Sequence, residues 1–206
     1  MFNQVASKEI VAATKAALEK NGFKVLLAEN GEEAKKMALE LIPQQAEALT
    51  MTSITLETIG LAKELNESGN YNSARAKLNE MSADKTKARE MKRLGAAPEY
   101  VLGSVHAITE DGKLIIASNT GSQLGAYTYG ADKVIFVAGT QKIVKDEQTA
   151  QDRIHEYIFP LESVRVRKAY GLPNTFNTYD SKVLKIQREI TPERITVILV
   201  NEVLGF

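Results

Sequence analysis

Lys133-Val134-Ile135-Phe136-Val137-Ala138 is an apolar run behind a single lysine. Its length, its β-branched and aromatic content and its lack of helical spacing predict a buried strand. Working outward, a short helix is expected before it, from about Gln123 to Tyr129. After it, Gln148–Phe159 reads as a helix that Pro160 interrupts, and Leu161–Tyr170 as its resumption, with Arg165, Arg167 and Lys168 on a solvated face. The same alternation recurs further out. Phe23–Ala28, Ala46–Met51, Tyr100–Gly103, Lys182–Arg188 and Arg194–Val200 read as strands. Between them lie a helix over Val5–Asn21, one capped by Asn30 and ended by Pro43, and one running from Ile54 to the break at Gly69-Asn70. Val105–Thr109 and Leu114–Ala117 flank Asp111-Gly112, a hairpin signal. The expected fold is therefore α/β and three-layered: a mostly parallel sheet with an inserted antiparallel hairpin and a helical N-terminal segment, in one domain over 1–206. The highly charged stretch Tyr71–Leu94, with sparse apolar points, reads as one long or broken exposed helix, serving as an insertion, an oligomer contact or a lid.

Composition narrows the chemistry. Lys plus Arg and Asp plus Glu number 26 each among 206 residues, so the formal net charge is zero. That balance gives no electrostatic footprint for nucleic acid and permits homo-oligomers. With no cysteine, the chain offers no disulfide, no thiolate nucleophile and no Cys-ligated zinc or iron–sulfur cluster. The only histidines are His106 and His155. No dinucleotide fingerprint, P-loop or His–Glu zinc motif occurs, so neither a metal nor a cofactor is expected. No signal peptide and no apolar run of about 20 residues is visible, which makes the cytoplasm the expected compartment and a membrane role unexpected.

Ligands of such sheets bind at the carboxyl ends of strands, where loops enter helices. Two loops fit, and they are expected to converge on one cleft. Thr52, Ser53 and Thr55 either bind a small anion or simply cap the next helix. Asn119, Thr120, Gly121 and Ser122 offer the same choice, with Gly121 either admitting a ligand or supplying a turn. Lys142, after the deciding strand, either pairs with an anion or is a solvated lysine. His106 is a candidate proton shuttle and Glu110 a candidate acid–base; the alternatives are a structural histidine and an ordinary turn residue.

A series of segments then resembles a known family. Asn21–Val25, Ser53–Leu61, Ala107–Gly112, Asn119–Ser122, Lys133–Gly139, Lys142–Val144 and Arg194–Val200 occur in the order and spacing of the LUD family, named for lactate utilization and also described as LutC/YkgG-like. The resemblance runs over nearly the whole chain. It implies a NagB/RpiA/CoA transferase-like fold. It also implies a small anionic metabolite as ligand, or a subunit role beside iron–sulfur proteins of an L-lactate oxidation system. An enzyme acting on a phosphosugar or CoA-type substrate and a non-catalytic interaction protein are the alternatives. The chain departs from the family pattern at Met51-Thr52, where glycines are common, and at Gln123, where an arginine is common. It also lacks cysteine across Tyr170–Ser181.

Overall fold

Most element ends follow from local chemistry. In the computed structural model, which describes residues 2–206, α1 (Lys8–Lys20) begins where the Ser7 hydroxyl accepts the Ile10 N–H. It stops ahead of Gly22, whose φ of +89° closes the turn. After β1 (Lys24–Ala28), α2 (Gly31–Glu40) is capped by Asn30 Oδ1 on the Glu33 N–H, as expected. β2 (Glu47–Thr50) leads through Ser53 into α3 (Ile54–Thr58). Gly60, at φ +68°, then splits the expected single helix into α3 and α4 (Leu61–Glu67).

The charged stretch is a broken helix, not one long one, and it is not wholly exposed. It holds β3 (Asn72–Ser73), α5 (Ala74–Met81), a tight turn at Lys85–Lys87 and α6 (Ala88–Ala96). The short β3 pairs with β2, and Ala74 and Met81 are buried. Arg75 donates twice to Thr50 O, at 2.8 and 2.6 Å, so α5 is tied to the end of β2. α6 fully buries no residue, though Leu94 packs against the core.

The remaining elements are β4 (Tyr100–Gly103), β5 (Ala107–Thr109), β6 (Leu114–Ser118), a wide helical turn at Ala126–Gly130, β7 (Lys133–Gly139), β8 (Ile143–Val144), α7 (Glu147–Asp152), α8 (Phe159–Tyr170), β9 (Lys182–Ile186) and β10 (Ile195–Val200). Pro160 does not break the helix. A wide turn over Arg153–Ile158 joins α7 to α8, with the Phe159 N–H reaching back to Ile154 O. Pro160 then falls in the first turn of α8, where its missing N–H goes unneeded.

Six strands form one wholly parallel sheet in the order β1-β10-β7-β4-β2-β3. Strand β7 lies inside it, and its alternation divides two cores. Val134, Phe136 and Ala138 enter one, while Ile135 and Val137 enter the other with Ala34, Ala38, Leu56, Leu61 and Leu65 from α2, α3 and α4. At the edge, β1 leaves Leu27 46% exposed, so it is only half the buried strand expected.

The hairpin is not inserted into this sheet, and β9 does not close it. Both belong to a second, mixed sheet in the order β8-β5-β6-β9. The reason is that β5 and β6 are buried on both faces. Ile108, Leu114 and Ile116 pack against the large sheet's core, while Ala107, Ile115 and Ala117 pack against Ala150, Ile154 and Ile158 of the α7–α8 region. A strand pair inserted in the large sheet would have left that helix without a floor. The Asp111-Gly112 turn is anchored as well: Asn21 Nδ2 donates to both carbonyls, and Gly112, at φ +82°, lies against the backbone of Ala17 so closely that a Cβ would clash.

Candidate functional site

The carboxyl ends of β2, β4 and β6 open onto one cleft, closed on its far side by α8. Its cavity of about 440 Å³ is in the usual size range for small ligands. The two polar loops meet here: Thr52, Ser53 and Thr55 line one wall, and Asn119, Thr120 and Ser122 line another.

Lys142 forms the floor. It sits in a tight turn, Thr140–Lys142, immediately after β7, and is 2% exposed. Its Nζ donates to Thr55 Oγ1 at 3.1 Å and to Ser104 Oγ at 3.0 Å. Both hydroxyls spend their own protons on backbone carbonyls, Thr55 on Leu204 O and Ser104 on Val137 O. Among the described residues no carboxylate pairs with Lys142. Burial, with help from the nearby Arg153 charge, lowers its pKa to about 7.

His106 lines the same cavity, and its Nδ1 accepts the Ala117 N–H at 3.2 Å. That bond leaves the proton of the neutral ring on Nε2. Burial, then Lys142 and Arg153, push its pKa down to about 3, so the ring is neutral at physiological pH. Behind it, Arg153 is fully buried and donates through Nη1 to His106 O at 2.6 Å. Its Nε and Nη2 have no partner among the described residues, and its guanidinium carbon lies 5.3 Å from the Tyr157 ring centre. Burial lowers its pKa to about 10, which still leaves it charged. At the mouth, Arg165 grips Glu162 through two bonds of 2.7 Å, and that pair cancels itself. The deep end of the cleft therefore carries uncompensated positive charge.

A family model described as LUD domain matches residues 11–200. The chain belongs to the LUD domain family. No curated protein matches it. Among solved structures, a DUF162 family protein from Deinococcus radiodurans is similar at a TM-score of 0.54 and 14% identity, over 95% of this chain and 99% of that one. That likeness shows a shared fold. The structure of eIF2B beta from Chaetomium thermophilum is similar at a TM-score of 0.29 and 15% identity, over 68% of this chain and 44% of that one.

This LUD domain treats its sequence-predicted site residues unequally. Lys142 is no solvated lysine. Ser53 Oγ accepts the Leu56 N–H at 3.4 Å and so caps α3, a helix of five residues, too short to bring a useful dipole to the cleft. Gly121 faces Lys182, not the cavity, and its φ of +82° marks it as the turn-former of its loop. The neighbouring side chains are partly engaged with one another: Thr120 with Ser122, and Asn119 with Ser181. Glu110 stands exposed at the hairpin turn, outside the cleft. Arg165 leaves its expected solvated face to line the mouth. Sequence reading passed over Ser104 and Arg153. Ser104 does follow the end of a predicted strand, whereas Arg153 sits in a charged helix that reads as surface.

Among the described residues, no group of three or more His, Asp or Glu is placed to hold a metal ion. No helix among them is long and apolar enough to cross a membrane.

Proposed function

We propose that the cleft binds a small anionic metabolite. The observation that carries this reading is Lys142: a buried amine at the floor of a cavity, held by two hydroxyls and by no carboxylate. Removing such a group from water is costly, and an entering anion supplies the missing counter-charge. Arg153, buried behind His106 without an ion-pair partner, adds to the same field. The amide and hydroxyl groups of Asn119, Thr120 and Ser122 are adaptable donors at the opposite wall.

A thermal-shift series with lactate, pyruvate, glyoxylate, sugar phosphates, inorganic phosphate and CoA tests this. A true ligand raises the melting temperature as ln(1 + [L]/Kd). The Lys142→Met variant should lose the shift. If none of these anions moves the wild-type melting temperature at concentrations of tens of millimolar, the reading fails. The class that shifts also separates the subunit role near L-lactate utilization from an enzyme acting on phosphosugars or CoA-type substrates. A protein of interaction function alone would respond to none.

Within the lactate reading, the electrons must pass to partners, for which iron–sulfur subunits are the proposal. L-Lactate oxidation releases two electrons, and this chain has neither a cysteine for a cluster or thiol relay nor a dinucleotide fingerprint. Purified protein mixed with L-lactate and an artificial acceptor should therefore show no turnover above a buffer control. Sustained acceptor reduction by the isolated chain would refute that assignment.

A further inference from the structure

We propose that Lys142 forms a covalent imine with a small 2-oxo carboxylate or related aldehyde acid in the cleft. This rests on the anion-binding reading and names the ligand class for the same site.

The geometry accommodates a neutral amine, the form in which a lysine with a pKa of about 7 spends about half its time at neutral pH. A neutral amine has two N–H donors and one lone pair; an ammonium has three donors. Nζ finds two acceptors, Thr55 Oγ1 and Ser104 Oγ. Each of those hydroxyls is turned so that its proton points at a backbone carbonyl, which leaves it only lone pairs to offer Nζ. The two N–H groups of an amine are thereby satisfied. The nitrogen lone pair is left unclaimed in a residue that lines the cavity. A third donor would have no partner among the described residues. Burial also makes the amine accessible near neutral pH, where exposed lysines are almost wholly protonated.

The reaction needs no outside oxidant or reductant. The Nζ lone pair attacks the carbonyl carbon, forming a C–N bond, and the π pair moves onto oxygen. A proton from nitrogen passes to that oxygen, giving a carbinolamine. Loss of the oxygen as water, with the second nitrogen-bound proton, leaves the C=N bond. A carboxylate beside the carbonyl brings the negative charge that this end of the cleft lacks, and the Nε2–H of neutral His106, which lines the same cavity, has no partner among the described residues. The product imine accepts a proton more readily when such a carboxylate accompanies it.

The test is reductive trapping on the full chain. Wild-type protein is incubated at neutral pH with pyruvate, and separately with glyoxylate, in the presence of borohydride, then measured as intact protein and by peptide mapping. The expected result with pyruvate is a mass gain equal to pyruvic acid less one oxygen atom, mapped to Lys142. Because the neutral-amine fraction sets reactivity, Lys142 should exceed any other lysine by at least about tenfold. Lys142→Arg should abolish the adduct; mapping on the wild type makes the result independent of whether that variant folds. Labelling scattered over surface lysines overturns the proposal. So does absence of any adduct at concentrations that raise the melting temperature, and in that case anion binding stands while the imine falls. Absence of both adduct and thermal shift removes both.

Discussion

Arg194→Ala is expected to cost about 3–5 kcal/mol of stability, a large share of the roughly 5–15 kcal/mol of a typical domain. Arg194 immediately precedes β10 and is 8% exposed. Its guanidinium donates to Ala131 O at 3.1 Å, to Tyr127 O at 3.2 Å and to Ala126 O at 3.3 Å. Ala126 and Tyr127 open the wide turn at Ala126–Gly130 and Ala131 follows it; the Ala126 carbonyl also accepts the Ala131 N–H. The same group holds Glu189 at 2.9 Å, in a pair whose side chains are each 10% exposed. Burial pushes the Glu189 carboxyl upward, yet the Thr191 N–H and Arg194 outweigh it and hold the pKa below its usual value. Truncation leaves a mostly buried carboxylate without its cation and takes the guanidinium donors from the Tyr127 and Ala131 carbonyls, the costly half of a broken pair. The check is urea unfolding, with Arg194→Lys as a variant that keeps charge but loses the fork and should fall between. A midpoint for Arg194→Ala equal to wild type would refute the assignment.

The Lys142→Met variant is expected to melt higher than wild type at about pH 6 and to lose that advantage by about pH 10. The folded lysine releases its proton at about pH 7, far below the 10.5 of an ordinary lysine. Between those values the unfolded chain binds more protons than the folded one. Stability therefore rises with pH across that window, by up to about 1.4 kcal/mol per unit from this group. Below about pH 7 the folded state carries the full cost of a buried, unpaired charge, which methionine removes. Above the window only the two hydrogen bonds to Thr55 and Ser104 separate the proteins, and those favour lysine. His106 behaves in the same sense at lower pH, since its folded pKa of about 3 lies below 6.5; Lys142 is one of the charges that lower it, so the two proteins are compared from about pH 6 upward, where the folded wild-type ring is neutral. A difference in unfolding free energy that stays constant from about pH 6 to about pH 10 would show that Lys142 keeps an ordinary pKa. The expected pH-dependent difference, together with trapping of the imine, would identify Lys142 as a group kept for function at a cost in stability.

The errors of sequence reading share one cause. Local signals were sound where the chain answers to its near neighbours: Asn30 caps its helix, and β7 alternates between two cores. They failed where distant segments intervene. Pro160 looked like a break because a lone sequence cannot show the wide turn that carries the helix past it. The hairpin looked like an insertion because the Asp111-Gly112 turn shows only that its two strands pair with each other; that both their faces are covered depends on α7 and α8, which lie far along the chain.

Periodicity and composition by themselves determined that this is an α/β chain with parallel strands, that its two hydroxyl-rich loops follow strand ends, and that it has no thiol chemistry. Those are properties of neighbouring residues and of counts. Tertiary structure alone decided that there are two sheets, that Arg194 stitches β10 to a distant turn, and that Lys142 is buried between Thr55 and Ser104 with no carboxylate to answer it. A lysine's charge state depends on how much water and which partners surround its nitrogen, and here those partners lie 87 and 38 positions away in the chain.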